Sequence, residues 1–131
     1  MVARITLTAE NGPLKGKDYV LTGNQRCLVG RSKDCDFQLP EVFVFMTVSR
    51  HHCLLDVDPP RISVLDLGSR NGTYVNGRRL WPYGDPNGFG GALDASSAQY
   101  ELVDGDELRL ADMAFTVHVN VPGVGEPGES T

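Results

Sequence analysis

Apolar and polar residues alternate through most of this chain, and no stretch carries a sustained helical period. From 3 to 8, Ala3, Ile5 and Leu7 oppose Arg4, Thr6 and Thr8. From 115 to 121, Phe115, Val117, Val119 and Val121 oppose Thr116, His118 and Asn120, and Leu108 and Leu110 flank Arg109. This period of two is the signature of strands with one face buried. Shorter runs at 18–22, 26–29, 52–57, 61–67 and 73–75 are separated by Asn11-Gly12-Pro13, Gly23-Asn24, Pro59-Pro60, Asn71-Gly72 and Asn76-Gly77, residues that favour turns. Many short strands punctuated in this way predict an all-β sandwich or barrel. One short helix is expected within Ala92–Val103.

At 131 residues the chain is long enough to bury one core without metal or disulfide staples. We expect one domain over 1–121, with a Gly-rich loop insertion at 81–100. A flexible tail or linker at 122–131 is expected to lead into a larger protein. The Pro, Gly, Glu and Ser of that tail offer almost nothing to bury. Three cysteines, Cys27, Cys35 and Cys53, are odd in number and irregular in spacing, which predicts reduced thiols. With no signal-peptide pattern at the start, the expected compartment is the cytoplasm. A net charge of −5 argues against general attraction to nucleic acid or anionic lipid. The charges are unevenly spread, however. Arg31, Lys33, Arg50, Arg70, Arg78 and Arg79 lie in or beside turn-like segments, whereas Asp104, Asp106, Glu107, Asp112, Glu126 and Glu129 crowd the last third. A local cationic site on an acidic chain suits one phosphate better than a long polyanion.

Three polar clusters fall where strands meet loops: Gly30-Arg31-Ser32, Ser49-Arg50-His51-His52, and Ser69 through Gly77. In a sandwich such junctions collect at the sheet ends, so clusters distant in sequence can share one surface. Arg31 offers a planar fork for two phosphate oxygens, Ser49 a hydroxyl donor and Arg50 a second cation. Asn71 has both a donor and an acceptor, so it can pair with the main chain of an extended peptide. The combination points to a phosphorylated peptide rather than to free phosphate.

Gly30-Arg31, Ser49-Arg50-x-His52, Asn71-Gly72-Thr73-x-x-Asn76-Gly77 and Asp104-Gly105-Asp106, in this order and spacing over roughly residues 5–120, resemble the forkhead-associated (FHA) domain. The resemblance implies a β-sandwich of about eleven mostly antiparallel strands whose loops at one end bind phosphothreonine peptides. By the same resemblance Arg31 and Ser49, helped by Arg50, look like phosphate ligands, and Asn71, with Arg70, looks like the pair that meets the peptide backbone. Gly30, His52, Gly72, Thr73 and Asn76 look like structural supports. The segment Phe45-Met46-Thr47, at the end of an apolar run from Val42, resembles the loop that selects the residue three places after phosphothreonine. An apolar preference is expected there.

Catalysis is not expected. Ser49 and His52 lack the Gly-x-Ser-x-Gly elbow and the orienting acid that a nucleophilic serine needs. A metal is not expected either, because no Cys-x-x-Cys pair occurs and Cys53 sits among Leu54 and Leu55 as a core residue would. No cofactor is called for. The expected partner is a phosphothreonine-containing protein or peptide, recognised by a domain that is monomeric in isolation, does not insert into membranes and serves Ser/Thr kinase signalling. The alternative from another class is a phosphate-independent scaffold working through the 42–46 or 81–100 loops.

Overall fold

The computed structural model describes residues 3–41, 45–82 and 99–122. Within them run eleven strands: β1 (Arg4–Ala9), β2 (Asp18–Leu21), β3 (Gln25–Gly30), β4 (Phe37–Gln38), β5 (Cys53–Asp58), β6 (Arg61–Asp66), β7 (Thr73–Val75), β8 (Arg78–Arg79), β9 (Tyr100–Leu102), β10 (Glu107–Leu110) and β11 (Met113–Asn120). One sheet has the order β2-β1-β11-β10-β7-β8, the other β4-β3-β5-β6-β9. Every pairing is antiparallel except β3 with β4, where Val29 faces Phe37. The all-β sandwich expected from the alternation is the observed fold.

The register shows why. Ile5 and Leu7 of β1 lie opposite Val119 and Val117 of β11, and Cys27 and Val29 of β3 lie opposite Leu55 and Cys53 of β5. Slipping any of these strands by one residue would turn its apolar set to solvent. Ile5, Leu7, Val29, Leu55, Val57, Ile62, Val64, Leu108, Leu110, Phe115 and Val117 are buried in a single core between the sheets. At the open edge, Tyr19 of β2 meets Phe37 of β4 at 4.5 Å between ring centroids, and Phe37 packs edge-on to Phe115 at 5.8 Å. Sheet is thus joined to sheet where no hydrogen bonds can do it.

Asn76-Gly77 forms the two-residue turn that joins β7 to β8, both residues having positive φ, 51° and 83°. The right-handed strand twist favours this turn, and Asn and Gly tolerate it. One expectation shifts. β9 occupies Tyr100–Leu102, where the short helix was expected to end, because Leu102 turns into the core while Glu101 stays exposed. The rest of that helix, most of the 81–100 insertion, residues 42–44 of the apolar run and the tail from 123 lie outside the described residues. No helix among the described residues is long and apolar enough to cross a membrane.

Candidate functional site

Three loop-bearing segments, 30–36, 45–52 and 66–73, are stitched together at one end of the sandwich. The Arg31 and Ser32 amides donate to the Ser49 and Arg50 carbonyls at 3.2 and 3.0 Å, and the Leu67 amide donates to the His52 carbonyl at 3.1 Å. Gly30 makes the first contact possible. A Cβ at that position would lie 2.1 Å from the Arg50 carbonyl oxygen, closer than any side chain allows. The turn between β10 and β11 closes the cluster through the Ala111 amide and the Gly72 carbonyl, 2.9 Å apart.

Arg31 is held by its own neighbours before any ligand arrives. Its Nε donates to the Val48 carbonyl at 2.5 Å, and Nη1 lies 3.6 Å from Met46 Sδ and 3.7 Å from a Glu41 carboxylate oxygen. The Arg31 side chain is only 13% exposed. Fixing the guanidinium this way lowers the entropy lost when its fork closes on an oxyanion. Ser49 Oγ accepts from the Arg70 amide at 3.0 Å, so its own proton stays free to be donated outward. Arg50 is exposed, and among the described residues no carboxylate lies within ion-pair reach of Arg50 or Arg70.

Asn71 directs one amide hydrogen to the Thr47 carbonyl at 2.7 Å. That bond fixes the rotamer and leaves its second N–H and its Oδ1 for an extended backbone. His52, fully buried, joins two of the segments. Its Nδ1 accepts from the Ser49 amide at 3.0 Å, and its Nε2 donates to the Gly72 carbonyl at 2.9 Å. An amide can only donate and a carbonyl only accept, so the ring is the neutral Nε2–H tautomer. Burial pushes its pKa down from the ordinary histidine value, consistent with that state.

Two residues that sequence reasoning passed over complete the frame. Asp66, buried at the end of β6, accepts from the Gly68 and Ser69 amides at 3.1 Å each, from Ser69 Oγ at 2.5 Å and from Thr73 Oγ1 at 2.7 Å. Ser69 Oγ in turn accepts from the Gly72 amide at 3.0 Å. Four donors on one carboxylate set the path of the loop that carries Asn71. An Asp closely followed by Gly-Ser is the turn signal that points to it. Glu41, the ion-pair partner of Arg31, carries no such signal.

The remaining expected positions divide. Asn76 Nδ2 donates to Asp106 at 2.9 Å, and its Oδ1 accepts from the Glu107 amide at 2.9 Å, which braces the hairpin away from the three loops. Of the expected selectivity segment, Met46 and Thr47 are exposed, whereas Phe45 is buried and anchors the loop from inside. A hollow of about 380 Å³ on the β4-β3-β5-β6-β9 sheet is lined by three carboxylates, Asp56, Asp58 and Glu101, and one cation, Arg61.

Fold and loop cluster together define a β-sandwich interaction module whose prearranged donors converge at one end. The chain carries a match to the forkhead-associated (FHA) domain, and its fold is that of FHA domains. The FHA domain model matches residues 27–86. The chain is 28% identical over 116 residues to the FHA domain-containing protein FhaA of Mycobacterium tuberculosis, covering 88% of this chain and 18% of that protein. It is 30% identical over 125 residues to the glycogen accumulation regulator GarA of the same species, covering 95% and 63%. It therefore spans less than two thirds of either relative. Among solved structures, the fold superposes with a TM-score of 0.66 at 27% identity on a domain studied for phosphothreonine-dependent FHA interactions, covering 90% of this chain and 98% of that one. The FhaA domain in complex with an intracellular domain of another protein gives 0.63 at 28% identity, covering 87% and 99%.

Proposed function

We propose that this chain is a phosphothreonine-dependent peptide-recognition module that links a phosphorylated protein to Ser/Thr kinase signalling in the cytoplasm, without catalysis of its own. The domain is residues 1–121, acting as a monomer, with 122–131 as a linker into a longer protein. Arg31, Ser49 and Arg50 hold the phosphate, and Asn71 with Arg70 holds the peptide backbone. Gly30, His52, Gly72 and Thr73 keep the loops in place, Asn76 supports the adjoining β7–β8 hairpin, and Met46 and Thr47 face the residues that follow phosphothreonine.

The observation that carries this reading is the division of labour within each side chain. Ser49 and Asn71 each use one polar atom on a neighbouring loop, Arg31 uses its Nε and Nη1, and all three keep another uncommitted: the Arg31 Nη2 end, the Ser49 hydroxyl proton, and the Asn71 Oδ1 and second N–H. Groups fixed from behind and free in front are what a ligand site needs. The relatives studied in phosphothreonine-dependent complexes support the phosphate as the ligand.

Two or three charge-assisted hydrogen bonds at about 1.5–3 kcal/mol each, less the ordering of the peptide, lead to an affinity near micromolar, about −8 kcal/mol. The test is calorimetric titration with matched threonine and phosphothreonine peptides from a degenerate library, on the native chain and on Arg31→Ala and Asn71→Ala. Binding that requires phosphate and disappears in both variants is expected. Equal binding of both peptides would favour a phosphate-independent scaffold, and turnover of the phosphopeptide would favour a phosphatase.

A further inference from the structure

We propose that Asp34, Cys35 and His51 form a binding site for a zinc-type divalent cation on the flank of the three loops. One ligand atom from each, the carboxylate oxygen, the thiol sulfur and an imidazole nitrogen, lies within 4.8 Å of both others. Asp34 and Cys35 come from the loop after β3, and His51 comes from the segment before β5, so folding alone brings them together. The site is empty. Carboxylate, imidazole and thiolate are all established zinc donors, and three protein ligands with an open fourth position is a common zinc arrangement.

The geometry asks for small movements. Zinc bonds of about 2.0–2.2 Å to N and O and about 2.3 Å to S place tetrahedral ligand atoms about 3.4–3.6 Å apart. His51 Nε2 and Asp34 Oδ1 now stand 2.8 Å apart in a hydrogen bond, so a cation replacing that shared proton must spread them by about half an ångström. Both side chains can do so, being 48% and 66% exposed. The sulfur must close in by no more than about 1.2–1.4 Å.

The frame behind the ligands tolerates the change. Cys35 Sγ now donates to the Arg50 carbonyl at 3.2 Å. When the thiol gives its proton to solvent and binds metal, that carbonyl keeps the Ser32 amide, 3.0 Å away. The Cys35 amide donates to the Ser32 carbonyl at 3.0 Å, which fixes the turn that presents the sulfur. A hydrogen bond between Asp34 and His51 accounts for two of the three groups being close. The sulfur is brought beside them separately, by its bond to the Arg50 carbonyl, so all three donors are already gathered before a cation arrives. A cation there would tie the Arg31-bearing loop to the segment bearing Ser49 and Arg50.

The test is a Co²⁺ titration of the reduced, folded chain, with a melting curve in chelator as the folding control for each variant. We expect one equivalent to produce thiolate-to-cobalt charge-transfer absorption and the visible bands of a tetrahedral ion, both bleached by equimolar Zn²⁺. His51→Ala and Asp34→Ala, substitutions of exposed side chains, should each weaken uptake at least about tenfold. Cys35→Ser should abolish the charge-transfer band, while Cys27→Ala leaves it. Absence of the band in the native chain would overturn the proposal. So would a band that survives both exposed-residue variants, or one that follows Cys27 instead of Cys35. The readout is independent of phosphopeptide binding, so its failure is separable from failure of the proposed function.

Discussion

Replacing Gly30 with alanine tests the joint between fold and site. The added Cβ would stand 2.1 Å from the Arg50 carbonyl oxygen, 2.7 Å from its carbon and 2.9 Å from the Ser49 carbonyl oxygen, where ordinary contact begins at 3.4 Å. The Arg50 carbonyl, and the Ser49 carbonyl before it, must therefore retreat, the former by about 1.3 Å. It is pinned there by the Arg31 and Ser32 amides and by Cys35 Sγ, so retreat weakens hydrogen bonds worth about 0.5–1.5 kcal/mol each. Overpacking alone costs about 1–3 kcal/mol, and the pinning puts Gly30→Ala at or above the upper end. At roughly 3–4 °C per kcal/mol for a domain of this size, the melting temperature should fall by about 10 °C. The same displacement carries Ser49 away from a bound phosphate, so affinity should drop at least about tenfold, the loss of one charged hydrogen bond. Gly105→Ala is the control. Nothing lies within 4 Å of its Cβ, but its φ is +90°, so it should destabilise by about 1–2 kcal/mol and leave affinity unchanged. Thermal melts and calorimetric titration read both effects. A Gly30→Ala chain that melts and binds like the native one would refute the reasoning.

Arg31→Lys keeps the charge but loses the fork and the Nε–H on the Val48 carbonyl, so phosphopeptide affinity should fall by about 10- to 150-fold by calorimetry; unchanged affinity would mean that charge alone suffices. Glu41→Gln removes the carboxylate 3.7 Å from Arg31 Nη1; because Glu41 is 44% exposed the gain is modest, and affinity should rise by at most about fivefold, a decrease being the contrary result. Burial pushes the Cys27 thiol up to about 11 from 9.0, so its stabilising contribution is complete below about pH 9 and is lost as pH rises toward 11, where only the unfolded thiol has already ionised. Cys27→Ala should lower stability at neutral pH yet flatten this alkaline decline, by at most about 1.4 kcal/mol per pH unit; an unflattened decline in urea titrations would remove Cys27 as its source.

The strands that could be read from sequence are those whose core-facing residues repeat every second position, such as Ile5-x-Leu7 and Phe115-x-Val117. β4, β8 and β9 escaped because they are two or three residues long, too short for alternation to register, and lack the turn pairs that frame the equally short β7 on both sides; Phe37 is held by Tyr19, and Leu102 by the core. The site divides in the same way. That Arg31, Ser49 and Asn71 share one end of the sandwich was legible because their chemistry and order form a pattern. Asp66 was not, because its importance lies in four donors that only the folded loop delivers. Phe45 read as a surface selector from an apolar run, but apolar character alone cannot tell an anchor from a contact, and the structure buries it. The cluster of Asp34, Cys35 and His51 was passed over because a metal was sought in paired cysteines, whereas here two loops supply the donors.

For an acidic chain, the proposed binding of a dianion needs an explanation beyond net charge. At physiological salt the Debye length is about 8 Å, so distant carboxylates are largely screened while groups touching the ligand are not. What decides binding is then whether the nearby donors are already in position. The stitched amides, the neutral His52 between Ser49 and Gly72, and the four-donor Asp66 place them there during folding, using the stability of the sandwich. A ligand there would meet groups with little rotamer freedom left to lose; the Val48 carbonyl keeps the Arg31 guanidinium oriented, and Glu41, the opposing charge in contact with it among the described residues, is the competitor a phosphate would displace.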